Sequence, residues 1–102
     1  MDLVVQIYAY SRRLPADEKH VVVPQLRRAV LSITLNLSEG YGRSSKVEFA
    51  RFVDIALGSA REVQALLELC KLLGYEDQEN ELTATEEIIR ILFSLARSLR
   101  KS

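Results

Sequence analysis

The residues of this chain that can do chemistry are few and gathered. Between positions 19 and 51 stand six bases (Lys19, Arg27, Arg28, Arg43, Lys46, Arg51) against two acids, Glu39 and Glu48. Guanidinium and ammonium groups at this density suit phosphate, through charge-assisted contacts that position a nucleic-acid backbone without reading its bases. Arg27, Arg28, Arg43, Lys46 and Arg51 are therefore the candidate set for binding nucleic acid or a partner protein. Among them lies Asn36-Leu37-Ser38-Glu39-Gly40-Tyr41-Gly42-Arg43. Its two glycines do not make a nucleotide loop. A dinucleotide fingerprint needs a third glycine after a strand, and a phosphate loop needs Gly-Lys-Ser/Thr.

Catalytic chemistry finds little to work with. His20 is the sole histidine and Cys70 the sole cysteine, so neither a histidine metal pair nor a disulfide can form within the chain. Cys70 falls on an apolar helical seam and reads as a small buried hydrophobe rather than a nucleophile. The carboxylates show no Glu-x-x-His pattern of a di-iron bundle. The expectation is a protein that is not an enzyme, with no metal and no cofactor. The lone cysteine and the lack of a basic, apolar leader point to the cytoplasm. No run of 18 apolar residues marks a membrane span.

Net charge is zero, with 14 bases and 14 acids in 102 residues. Bulk charge therefore does not draw the chain to nucleic acid, although a local patch remains open. Residues 76–87 hold six acids and no base, while residues 88–102 hold Arg90, Arg97, Arg100 and Lys101 and no acid. This pattern suits the two ends of one helix dipole.

The elements that must position these groups are helices. Apolar residues recur by threes and fours, and no period-two alternation persists. A first helix over residues 2–13 carries Leu3, Ile7, Tyr10 and Leu14 and breaks at Pro15. A second carries Val23, Leu26, Val30, Ile33 and Leu37. Pro24 sits either in its first turn or at a kink in a longer helix capped by Asp17. A third opens on Ser45 with Glu48 three residues on, a capping box. It runs through Phe49, Val53, Ala56, Ala60, Val63, Leu67 and Cys70 to Gly74, about 42 Å at 1.5 Å per residue. A fourth spans residues 77–100 with Leu82, Ile89, Leu92, Ala96 and Leu99 in register. Short connections between long helices imply one domain over residues 1–102: an all-α, antiparallel up-down-up-down four-helix bundle.

Gly40 follows the last apolar residue of the second helix and reads as its C′ glycine, at positive φ. Tyr41 follows at C″, Gly42 loosens the turn, and Gly74-Tyr75 repeats the device. Tyr41 is also a face on which a base can stack. Glu39 faces the negative end of the helix dipole, so Arg43 or Arg28 should compensate it. The compensation is either a surface ion pair or a network presenting Arg43, Lys46 and Arg51 to a partner. On the third helix, Phe49, Phe52, Val53, Ile55 and Leu57, with Ala50 and Ala56, cover an arc of roughly 220°, where a single core needs little over 100°. Either the neighbouring helices enclose that arc, or a second subunit covers part of it. The second alternative makes Phe49, Phe52, Val53, Ile55 and Leu57 an oligomer interface.

The segment "QLRRAVLSITLNLSEGYGRSSKVEFARFVDIALGSAREVQALLELCKLLGY" carries Gln-x-Arg-Arg-Ala at 25–29, Asn-x-x-Glu-Gly-x-Gly-Arg at 36–43, Glu-Phe-x-Arg-Phe at 48–52 and Ala-Leu-Gly-Ser-x-x-Glu at 56–62. In these it resembles the bacterial four-helix-bundle family of 23S rRNA intervening-sequence-encoded proteins. That family includes relatives of the accessory variability determinant of diversity-generating retroelements. The resemblance implies a four-helix bundle, often a pentameric ring, without a catalytic site. Its retroelement relatives are basic, bind nucleic acid and contact a reverse transcriptase, whereas this chain is neutral. It also implies that the chain begins partway into the family's first helix. The partners expected are a second copy of the chain in a homo-oligomer, RNA or DNA, and a reverse transcriptase or other protein. The alternative is a protein-interaction scaffold that binds no nucleic acid. On the C′ reading, Gly40→Val forces a β-branched residue to positive φ and costs about 1–2 kcal/mol in a thermal melt.

Overall fold

The computed structural model describes residues 2–101. Four helices follow one another: α1 (Asp2–Arg12), α2 (Val22–Tyr41), α3 (Lys46–Leu72) and α4 (Glu79–Lys101), with a short 3-10 turn at Ala16–Glu18. They pack in chain order, α1 on α2, α2 on α3 and α3 on α4, and α1 closes against α4. The bundle is elongated, 46 Å in its long dimension.

The seams produce the core. Leu3, Ile7, Tyr10 and Leu14 are buried, with Leu26, Val30 and Ile33 of α2, Val53, Ala56, Ala60, Val63, Leu67 and Cys70 of α3, and Leu82, Leu92 and Ala96 of α4. Val23, Leu37, Ile89 and Leu99 pack half-buried at its edge, and Val22 rather than Val23 is the fully buried residue at the head of α2. Pro24 stands in the first turn of α2, where its missing N–H is no loss, and Asp17 belongs to the separate 3-10 turn. A polar rung crosses between α2 and α3. The Ser32 and Ser59 hydroxyls share a hydrogen bond at 2.8 Å, and the Asn36 amide donates to the Ser32 carbonyl at 2.8 Å.

The α3 termini match their sequence signals. Ser45 Oγ accepts from the Glu48 N–H at 3.1 Å. At the other end Gly74 has φ +76°, its N–H donates to the Lys71 carbonyl, and the Tyr75 N–H donates to the Cys70 carbonyl at 3.0 Å. These two bonds are a Schellman motif, which satisfies carbonyls that the helix leaves open. Helix α4 starts at Glu79, two residues later than its acidic run suggests. The Asp77 carboxylate accepts from the Glu79 N–H at 3.0 Å.

One end of the bundle is stitched by side chains. Tyr10 is fully buried, and its hydroxyl donates to the Glu76 carbonyl at 3.1 Å and accepts from Gln78 at 3.3 Å. Burial, with Cys70 alongside, pushes the Tyr10 phenol well above its ordinary range, and burial likewise raises the Cys70 thiol. Arg13 pairs with the buried Glu81 at 3.6 Å. Asp2, Leu3 and Gln6 of α1 line a cleft with Ala84, Glu87 and Ile88 of α4.

Gly40 departs from the sequence expectation. Helix α2 runs through it to Tyr41, and among the described residues the only positive φ is at Gly74. Gly40 is buried because α3 lies against it. A Cβ there would stand 2.8 Å from Phe49 Cδ1 and 3.1 Å from Phe52 Cβ. The glycine serves close approach, not a left-handed turn. Gly42 caps the helix at φ −79°, a conformation open to any residue. Tyr41 is the last helical residue rather than a C″ residue packed back on its helix.

Most of the α3 arc is enclosed by its own neighbours. Ala50, Val53 and Ala56 are fully buried, Phe49, Phe52 and Leu57 are half-buried, and Ile55 is 42% exposed. Val53 therefore cannot belong to an oligomer interface, since the core of one chain already surrounds it.

Two measurements test this fold. Gly58 has open space around its Cα, so Gly58→Ala should stabilise by about 0.5–1 kcal/mol through helix propensity. Gly40→Ala should instead lose about 1–3 kcal/mol to overpacking, and Gly40→Val more. Urea unfolding showing Gly40→Ala as stabilising would refute the close approach. The second measurement concerns Tyr75, whose hydroxyl donates to Glu18 Oε2 at 2.5 Å. This bond, reinforced by burial and nearby carboxylates, pushes the phenol from 10 up to about 12. The folded state holds that proton more tightly, so its contribution is complete below pH 10 and is lost as pH rises through about 12. Tyr75→Phe should flatten that part of the stability profile, leaving the Tyr10 contribution.

Candidate functional site

The candidate residues do not assemble as one patch. Arg27 turns inward along α1. Its Nε donates to Ser11 Oγ at 2.9 Å and its guanidinium lies 4.7 Å from the Tyr8 ring centroid. It clamps α2 to α1. Arg28 is exposed in the same stretch of α2. Fourteen residue steps of α2 run from Arg27 to its last residue, Tyr41, a rise of about 21 Å. The antiparallel hairpin places Arg27 and Arg28 toward the far end of α3, away from Lys46 and Arg51. A single patch containing all five is thus ruled out by helix length.

The other three meet at the α2–α3 corner. Arg43 pairs with Glu39 at 2.8 Å, an exposed pair four residues apart. Of the two partners expected for Glu39, Arg43 is the one observed. The Arg43 guanidinium also lies 5.0 Å from the Phe52 ring centroid, and that of Arg51 lies 4.8 Å from the same ring. Cations over an aromatic face are held by the ring quadrupole. Phe52 is a shelf for both, and it stands there because Gly40 leaves room for it. One turn back, Phe49 meets Tyr41 with centroids 5.0 Å apart and planes tilted by 44°. Tyr41 remains 75% exposed.

Helix α4 brings further charge to this corner. Arg100 grips Asp54 with both guanidinium nitrogens, Nη1 to Oδ1 at 3.1 Å and Nη2 to Oδ2. A groove of about 710 Å³ runs between α3 and α4, lined by Lys46, Val47, Glu48, Ala50, Arg51, Asp54, Leu99 and Arg100. Arg97 and Lys101 lie exposed beside it. The end of the bundle formed by residues 34–57 and 97–101 thus holds six bases (Arg43, Lys46, Arg51, Arg97, Arg100, Lys101) and three acids (Glu39, Glu48, Asp54). Its net charge is +3, and the remainder, with eight bases and eleven acids, carries −3. The sequence reading assigned the basic tail to the helix dipole and left it out of the patch. The signal was available in the up-down topology, which sets the fourth helix's C-terminus beside the third helix's N-terminus.

Among the described residues, no group of three or more His, Cys, Asp or Glu is placed to hold a metal ion. None of the helices is long and apolar enough to cross a membrane. Cys70 is fully buried, as its seam position implied.

No curated protein sequence matches the chain. A crystal structure of a Bacteroides thetaiotaomicron VPI-5482 protein of unknown function, from the S23 ribosomal protein family, shares the fold. It is 26% identical, superposes with a TM-score of 0.85, and the match covers 93% of this chain and 92% of that one. The family model described as 23S rRNA-intervening sequence protein matches residues 1–97. Covering nearly the whole bundle, that match carries the conclusion that the chain belongs to the 23S rRNA-intervening sequence protein family.

Proposed function

We propose that this protein is a non-enzymatic, self-associating accessory protein that holds nucleic acid by its phosphate backbone at the basic end of the bundle. The observation that carries the reading is the charge separation along the molecule. Electrostatic influence decays over about 8 Å at physiological salt, and the bundle is 46 Å long. A polyanion at one end therefore responds to the local +3 rather than to the chain's zero. Lys46, Arg51, Arg97 and Lys101 are exposed on this end and suited to phosphate, with Arg43 and Arg100 already engaged by carboxylates.

Self-association multiplies the patch. Leu35 of α2 is 66% exposed, and Ile55 is 42% exposed on the helix whose apolar arc is widest. A second copy covering them would set several basic ends together, and several weak phosphate sites bind a long strand far better than one. The family resemblance favours a pentameric ring. The same two apolar residues favour a second reading, a scaffold that docks another protein, such as a reverse transcriptase, and leaves nucleic acid alone.

Fluorescence anisotropy with labelled RNA and DNA separates the two. With about four phosphates neutralised, affinity should fall roughly 50- to 150-fold between about 50 and 200 mM salt. Arg51→Ala or Lys101→Ala should lower the logarithmic salt slope by about one, while Arg28→Ala leaves it unchanged. Arg43→Ala should cost less than about 1 kcal/mol of stability, as an exposed pair does. Absence of binding to every probe at the lower salt would remove the nucleic-acid reading and leave the scaffold. Sedimentation as a monomer at micromolar concentration would contradict self-association.

A further inference from the structure

We infer that the nucleic acid taken by this end is single-stranded, with Tyr41 as the platform on which one base stacks. The inference rests on the proposed reading of the basic end as a phosphate-binding surface and names which nucleic acid it selects.

Tyr41 is the most exposed aromatic residue of the chain, at 75%, and no internal role accounts for it. It does not cap α2, which ends by backbone bonds from Gly42 to the Glu39 carbonyl and from Arg43 to the Gly40 carbonyl. It lies on the last turn of α2, so its backbone is fixed. Its ring is braced by Phe49 at 5.0 Å. An aromatic face held in place while open to solvent loses little freedom when a planar ligand covers it.

The cations beside it are braced in the same way. Arg43 and Arg51 both rest on the Phe52 ring, at 5.0 and 4.8 Å, so the two guanidinium groups lie within about 10 Å of one another. Phe49 and Phe52 are three residues apart on α3, hence neighbours on one helical face. The corner therefore sets one free aromatic face beside the Arg51 guanidinium, with Arg43 held by Glu39 next to it, the pairing that single-strand binding uses: stacking for a base and charge for its phosphates. In a duplex the base faces are covered by neighbouring pairs, so a duplex engages the cations and gains nothing from Tyr41.

The experiment compares a labelled single strand of about 12 nucleotides of mixed sequence with the duplex of the same sequence, at about 50 mM salt. The variants are Tyr41→Leu, which keeps an apolar contact with Phe49 but has no π face, and Tyr41→Phe, which keeps the face. Circular-dichroism melts of both verify folding. The wild type should prefer the single strand. Tyr41→Leu should weaken single-strand binding by roughly 5- to 150-fold and leave duplex binding unchanged, and Tyr41→Phe should retain wild-type affinity. Equal wild-type affinity for both probes, or an equal loss on both in Tyr41→Leu, would overturn the inference while leaving the basic end as a phosphate site. Unaltered single-strand affinity in Tyr41→Leu would overturn it too. No binding of either probe by the wild type would bring down the underlying reading and this one with it.

Discussion

The missing side chain at Gly40 is the constraint on which the functional end of this molecule depends. Helices α2 and α3 approach there so closely that a single added carbon would meet the Phe49 ring and the Phe52 Cβ. With that carbon absent, both phenylalanines sit against the α2 backbone. Phe52 then supports the guanidinium groups of Arg43 and Arg51, and Phe49 steadies Tyr41. A backbone contact thereby becomes an arrangement of charge and aromatic surface. Glycine inside a helix costs about 1 kcal/mol relative to alanine, and the packing it permits is what offsets that cost.

The opposite end of the bundle solves a different problem. Helix α1 packs on α2 and closes against α4. Polar contacts assist its apolar seam: Tyr10 to the Glu76 carbonyl, Arg13 to Glu81, and Arg27 of α2 to Ser11. Glu18, in the turn after α1, accepts from Tyr75 just beyond the Gly74 motif. Hydrogen bonds of this kind typically contribute about 1 kcal/mol each, and together they hold α1 and its connection in register against α2 and the α3–α4 turn. Arg13, Glu18, Arg27 and Glu81 are thus engaged in holding this end together.

How much of this was legible depended on distance along the chain. The Ser45 cap spans three residues, the Gly74 motif five, and an apolar seam repeats every three or four, so each is written locally and each is found in place. Gly40 was misread because a glycine after the last apolar residue of a helix is the same local signal whether it turns the chain or admits a neighbour. The residues that decide between the two, Phe49 and Phe52, lie beyond a turn. Arg27 was misread for a similar reason. Its partners Tyr8 and Ser11 belong to another helix, and nothing in its own neighbourhood separates a clamp from a binding group.

By itself, then, the sequence determined four helices, their order, the caps of α3 and most of their buried faces, because propensity, capping and periodicity act within a turn or two. It also contained the family signature. Tertiary structure alone decided where the charge went. A chain with 14 bases and 14 acids becomes a rod with a positive end, because antiparallel packing brings residues 97–101 beside residues 46–57. It alone made Tyr41 an exposed face and Arg27 an internal clamp. Which side chains share a surface is settled by contacts between segments far apart in the chain, and those contacts exist only once the helices have packed.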